Sequence, residues 1–89
     1  MSDEVDLIYP IRPTHAGNGW EFKETPRGPR LVKDYGGPTG LVRATTPRTC
    51  SWTVRRSDGS FWREASSTSA EAAKAAADEW IAVNLREEP

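Results

Sequence analysis

One histidine and one cysteine stand among the 89 residues, and most familiar catalytic constellations need one or the other. His15 lies in the proline- and glycine-rich stretch "IYPIRPTHAGNG", and Cys50 sits between Thr49 and Ser51 at the start of an apolar run. Nucleophilic catalysis requires a base within hydrogen-bond reach of the nucleophile and a third group that orients the base. Neither residue has that support in its surroundings, so His15 is expected at the surface and Cys50 partly buried. One thiol and one imidazole cannot provide the four ligands of a Cys/His zinc site, and a lone cysteine forms no internal disulfide. "GGPTG", residues 36 to 40, has neither the lysine nor the strand-to-helix setting of a phosphate loop and reads as a plain loop. The expectation is a protein that is not an enzyme and holds no metal or cofactor.

Residues suited to binding are more conspicuous. "TVRRSDGSFWRE", residues 53 to 64, sets two arginines before an Asp-Gly turn and two aromatics and a third arginine after it. The net charge of −1 conceals a partition along the chain. Residues 1 to 24 carry two bases and five acids, residues 25 to 63 eight bases and two acids, and residues 64 to 89 two bases and six acids, or −3, +6 and −4. Such asymmetry points to an anionic partner or to charges neutralised within the fold. Arginine, tryptophan and phenylalanine are the residues that interface centres enrich. The candidate binding residues are therefore Arg43, Arg55, Arg56, Phe61, Trp62 and Arg63. Two partners suit them: an acidic protein, which includes the chain's own acidic helix in a self-associated form, or the phosphates of a nucleic acid. An isoelectric point near 5.8 falls well below the basic balance of a nucleic-acid module and favours the protein partner.

The elements that must position these residues follow from period and punctuation. "GWEFKET" alternates Trp20 and Phe22 with Glu21 and Lys23 and reads as a strand. "RLVKDY" and "GLVRATTP" read as two more, the latter with Leu41 and Arg43 on one face and Val42 and Ala44 on the other. "TPR" occurs at 25 to 27 and again at 46 to 48, in each case as a proline-directed turn. The stretch "SWTVRRSDGSFWREASS" is the clearest hairpin in the chain.

Two registers are open for that hairpin. A two-residue Asp58-Gly59 loop sets Arg55 opposite Trp62 and Val54 opposite Arg63, with Trp52, Val54, Phe61 and Ala65 on one face. A type I turn over Ser57, Asp58 and Gly59, with Gly59 left-handed, instead pairs Val54 with Trp62 and Arg55 with Phe61. One face is then Trp52, Val54 and Trp62, and the other Thr53, Arg55, Phe61 and Arg63. Either way Arg55 and one aromatic face outward, where a cation–π contact is worth about 0.5–1 kcal/mol.

"SAEAAKAAADEWIAVNL" has no breaker and is rich in alanine, the best helix former. Thr68 followed by Glu71 has the spacing of a capping box. At 100° per residue Ala73, Ala76, Ala77, Trp80, Val83 and Asn84 share a side. Glu71, Lys74, Asp78 and Glu79 lie away from it. Small residues allow close approach to a sheet, with Trp80 as anchor.

A hairpin such as "WTVRRSDGSFWREASS" followed by "TSAEAAKA" resembles the sheet-plus-helix arm-binding domains of tyrosine integrases and the domains of plant ethylene-response transcription factors. The stretch, residues 41 to 85, is also similar to small uncharacterised proteins of actinobacteria and their phages. In the DNA-binding families the sheet enters the major groove, and the resemblance implies that role for Arg43, Arg55, Arg56, Trp62 and Arg63. An excess of arginine over lysine, nine to three, with ten alanines, fits a high-GC source of this kind.

The fold expected is α+β, an antiparallel sheet of three to five strands packed against one C-terminal helix. Residues 1–18 form a flexible or edge-strand segment, 19–86 a single domain and 87–89 an acidic tail. A chain of this length buries only about 60–70% of its unfolded surface, so the core is small and leans on its four tryptophans. No basic segment precedes an apolar run at the N-terminus, and no stretch of about 18 apolar residues occurs. A soluble, cytoplasmic protein with no membrane partner is expected, in a host cytoplasm if phage-encoded.

Overall fold

The computed structural model describes residues 11–87. Five strands, β1 (Trp20–Thr25), β2 (Gly28–Asp34), β3 (Thr39–Thr46), β4 (Thr49–Arg55) and β5 (Phe61–Ser67), precede one helix, α1 (Ala70–Asn84). The strands pair antiparallel in chain order to form a single meander, and α1 packs across β3, β4 and β5. This is the expected α+β arrangement, at the upper end of the expected strand number. The edge strand expected around Leu7 to Ile11 lies outside the described residues except for Ile11, which is buried beside the sheet. Of the expected acidic tail, Glu88 and Pro89 also lie outside them.

Both "TPR" stretches become two-residue hairpin loops of one design. Thr25 pairs with Gly28 and Thr46 with Thr49, which leaves Pro26-Arg27 and Pro47-Arg48 to make the turns. Proline presets the φ that the first turn position needs. In each loop the arginine backbone N–H donates to the preceding threonine hydroxyl, at 3.2 Å for Arg27 and 3.1 Å for Arg48. Because a meander reverses direction at every strand, these two loops emerge at the same end of the sheet.

The β4–β5 hairpin combines features of both registers. Arg56 N–H donates to the Ser60 carbonyl and Gly59 N–H to the Arg56 carbonyl, and Gly59 is left-handed at φ +88°, so the type I turn over Ser57, Asp58 and Gly59 is correct. Arg55 accordingly pairs with Phe61. The expected Val54–Trp62 pair is replaced by Val54 with Arg63, because β5 bulges at this point. A bulge sets two residues against one. Here it gives Trp62 a place against the helix and restores the alternation that puts Ala65 opposite Trp52.

The core lies between sheet and helix. Register aligns Phe22, Leu31, Val42, Trp52 and Ala65 across all five strands on the helix side, with Trp20, Lys33, Gly40, Val54 and Arg63 in the next row. Ala70, Ala73, Ala77 and Ile81 of α1 close over them. Trp80 stands edge-on to Trp62 at 5.1 Å and tilted to Trp52 at 6.4 Å, so it is the anchor expected. Gly40 makes room for Trp20 and Tyr35, which meet edge to face at 6.2 Å.

The helix departs from expectation in two ways. Its cap is Ser69, whose hydroxyl accepts from Ala72 N–H at 3.1 Å, one residue later than Thr68. Glu71 does not reach back to a capping threonine and pairs instead with Lys74 at 3.2 Å. The inward face is also rotated: Lys74 is buried and Asp78 half-buried, whereas Val83 is largely exposed. Lys74 threads its apolar stem along the core and donates to the His15 carbonyl at 2.5 Å. Asp78 receives the Tyr35 hydroxyl at 2.7 Å and pairs with Lys33 at 3.2 Å. Polar side chains placed on the outer face by periodicity thus bind the helix to the segment before β1 and to β2.

Candidate functional site on the helix-free sheet face

The face turned away from α1 is built by the alternate residues of each strand. Its central row is Glu21, Val32, Leu41, Thr53 and Glu64. On one side runs Lys23, Arg30, Arg43, Ser51 and Ser66, and on the other Asp34, Thr39, Arg55 and Phe61. Val32 and Leu41 are half-buried neighbours at the centre, and Phe61 is 54% exposed.

The six candidate binding residues divide. Arg43, Arg55 and Phe61 come together on this face, Arg43 within 3.5 Å of Glu64 and Arg55 donating to the Gly59 carbonyl at 3.2 Å. Arg56 and Trp62 do not join them. The Arg56 guanidinium stacks 5.5 Å over the Trp62 ring and donates to the Phe61 carbonyl at 2.6 Å, while Trp62 packs on Trp80. The cation–π pair of the hairpin is therefore formed by Arg56 and serves to hold the turn. Arg63 shares the helix-side row with Val54 and is exposed on the edge strand.

Lys23 and Arg30 were missed as site residues and lie beside Arg43. Lys23 is directly opposite Arg30, and Arg30 directly opposite Arg43. The first of these pairings was recoverable, because a two-residue Pro26-Arg27 loop fixes the β1–β2 register. Like charges directly opposite one another destabilise a sheet. Lys23 is partly offset by Glu21 at 3.6 Å and Arg43 by Glu64. Exposed pairs of this kind contribute only about 0–1 kcal/mol. Arg30 makes no ion pair among the described residues.

Other reactive groups are engaged structurally. His15 Nδ1 accepts the Arg12 backbone N–H at 2.9 Å, and partial burial lowers its pKa below the ordinary value. His15 is thus half-buried rather than at the surface. Cys50 is fully buried, deeper than expected, and burial raises its thiol, which disfavours the reactive thiolate. Burial, then the bond to Asp78, holds the Tyr35 hydroxyl well above its ordinary range. Among the described residues no cluster of His, Cys, Asp and Glu is arranged to hold a metal ion. Two open grooves lie near the "TPR" end, of about 560 Å³ beside Ile11 and Phe22 and about 430 Å³ beside Arg30 and Arg43. No helix among the described residues is long and apolar enough to cross a membrane.

No protein-family model, curated protein or solved structure matches this chain.

Proposed function

We propose that this protein is a non-enzymatic binding module whose helix-free sheet face receives an acidic segment of a protein partner. The observation that carries this reading is the layout of that face, where the apolar pair Val32 and Leu41 is flanked by Lys23, Arg30 and Arg43 on one side and by Arg55 and Phe61 on the other. An apolar centre within an arginine- and aromatic-bearing rim is the composition of a protein interface. Glu21 and Glu64 terminate the central row and oppose a continuous run of phosphates.

The test is an amide-resolved NMR titration of the full chain with a synthetic peptide alternating glutamate and valine, with light scattering to follow mass. Shifts gathered at Val32, Leu41, Arg43 and Thr53 are expected. Shifts gathered on α1, or none at millimolar peptide, would overturn the reading.

A second reading, contact with duplex DNA through the same face, draws support from the unbroken cation row Lys23, Arg30 and Arg43. Each neutralised phosphate contributes about −0.9 to the slope of log affinity against log salt. Those three with Arg55 correspond to a slope of about −3.6. Micromolar binding to a mixed-sequence duplex with that slope selects DNA; no binding at low salt removes it.

A further inference from the structure

The two "TPR" loops are left unexplained by a function centred on Val32 and Leu41. They stand at one end of the sheet, and between them β2 and β3 part company. The ladder joining these strands runs from Asp34 and Thr39 to Arg30 and Arg43 and stops there. Beyond it Pro29 has no N–H to offer, and β3 is irregular between Ala44 and Thr46. The result is a notch of about 430 Å³ with Arg27 and Arg30 on one lip and Arg43, Thr45 and Thr46 on the other.

Three features give the notch a chemical preference. First, three arginines line it and, among the described residues, no aspartate or glutamate does. Second, the arginines are under-compensated: Arg27 and Arg30 make no ion pair among the described residues, and Arg43 has only its 3.5 Å contact with Glu64. Next to Arg43 in register, the Ser51 hydroxyl is buried and has no hydrogen-bond partner among the described residues. Third, hydroxyl protons are in surplus. Thr49 Oγ1 lies 2.8 Å from Thr45 Oγ1 and 2.7 Å from Thr46 Oγ1, and Thr46 Oγ1 also accepts the Arg48 N–H. Three hydroxyl protons serve two mutual contacts, so one is left to donate outward.

We infer that this notch binds the dianionic phosphoryl group of a phosphomonoester. Guanidinium forks match phosphate oxygens bidentately, and a phosphomonoester is close to doubly charged at neutral pH. A phosphate seated there offsets the Arg30–Arg43 repulsion and accepts a hydrogen bond from the spare hydroxyl. The inference rests on the reading of the basic face as an anion-receiving surface, and supplies it with a distinct anchoring point at one end.

The experiment is an amide-resolved titration of the full chain with phenyl phosphate. Saturating shifts are expected at Gly28, Arg30, Arg43, Thr45 and Thr46. Arg30→Gln is expected to weaken binding about tenfold or more, the loss of a charge-assisted hydrogen bond, and Arg55→Gln to leave it unchanged. Arg27→Gln, in an exposed turn, is the second variant and is expected to weaken binding in the same sense even if Arg30→Gln fails to fold. Absence of saturation, or equal loss from Arg30→Gln and Arg55→Gln, overturns the site in favour of diffuse electrostatics. A phosphoserine peptide or a 5′-mononucleotide that binds more tightly than phenyl phosphate supports the site and identifies the carrier. A dinucleotide phosphodiester that binds as tightly overturns the monoester assignment in favour of a nucleic-acid backbone. If the glutamate–valine peptide still shifts Val32 and Leu41 while phenyl phosphate does nothing, only the notch is refuted; failure of both refutes the anion-receiving face as well.

Discussion

Gly40 offers the sharpest test of how the sheet is packed. Its φ is not in the left-handed region, so alanine is compatible with its backbone. The obstacle is space. A Cβ at this position falls 2.9 Å from Trp20 Cη2 and 2.9 Å from Tyr35 Cε2. Trp20 is 2% exposed, and Tyr35 is tied through its hydroxyl to Asp78, so neither ring can retreat freely. Overpacking a filled site costs about 1–3 kcal/mol. Replacing glycine by alanine returns about 0.4–1 kcal/mol by restricting the unfolded chain. The net expectation for Gly40→Ala is a loss of about 1–2 kcal/mol. At about 4–8 °C per kcal/mol for a domain of this size, Tm falls by about 5–15 °C. Thermal and urea unfolding, followed by tryptophan fluorescence, measure it. A double-mutant cycle isolates the share due to Trp20: with Trp20→Leu in place, the alanine should cost measurably less, the remainder being the contact with Tyr35. An unchanged or raised Tm for Gly40→Ala alone, or equal costs in both backgrounds, refutes the close approach of Trp20 to β3.

Three further outcomes are expected. Arg55→Ala and Arg63→Ala should each leave stability within about 0.5 kcal/mol; of the two only Arg55 lies on the helix-free face, so only its loss should weaken acidic-peptide binding in the same titration. Trp80→Ala removes the ring shared by Trp52 and Trp62 and should cost about 3–4 kcal/mol in urea unfolding; a parent-like midpoint contradicts the packing of α1. His15 has a folded-state pKa below its unfolded value of 6.5, so the unfolded chain takes up the proton first and stability falls as pH drops from 6.5 towards the folded value. His15→Gln should flatten that segment of the stability–pH curve, and an unaltered curve would show that His15 is not its source.

Much of this architecture was legible in local chemistry. Pro-Arg after a threonine sets a two-residue loop, alternation over Trp20 to Lys23 sets a strand, and the alanine run sets a helix. What local chemistry could not show was the result of contacts far apart in sequence. Lys74 looks solvent-facing on a helical wheel, and it is the His15 carbonyl, 59 residues earlier, that joins Glu71 in making its burial acceptable. Asp78 likewise depends on Lys33 and Tyr35. The cap moved from Thr68 to Ser69 because β5 continues to Ser67 and the chain turns only after it. Of the six candidate residues, Arg43, Arg55 and Phe61 share the helix-free face, whereas Arg56 and Trp62 are drawn into the hairpin's own stack at the β5 bulge. Lys23 and Arg30 were overlooked because the clearest hairpin is not the one that carries them.

That bulge also bears on what the margins of the sheet can accept. Among the described residues the open meander has two unpaired edges, and such an edge can recruit a further strand and begin aggregation. On β5 the irregular pairing at Trp62 interrupts the edge, and the exposed Arg63 and Glu64 follow it directly. On β1 the exposed Glu21, Lys23 and Glu24 do the same service. Charge and distortion at both margins discourage strand addition. The contact proposed above is thereby left to the broad surface of the sheet, where side chains rather than backbone amides decide what is accepted.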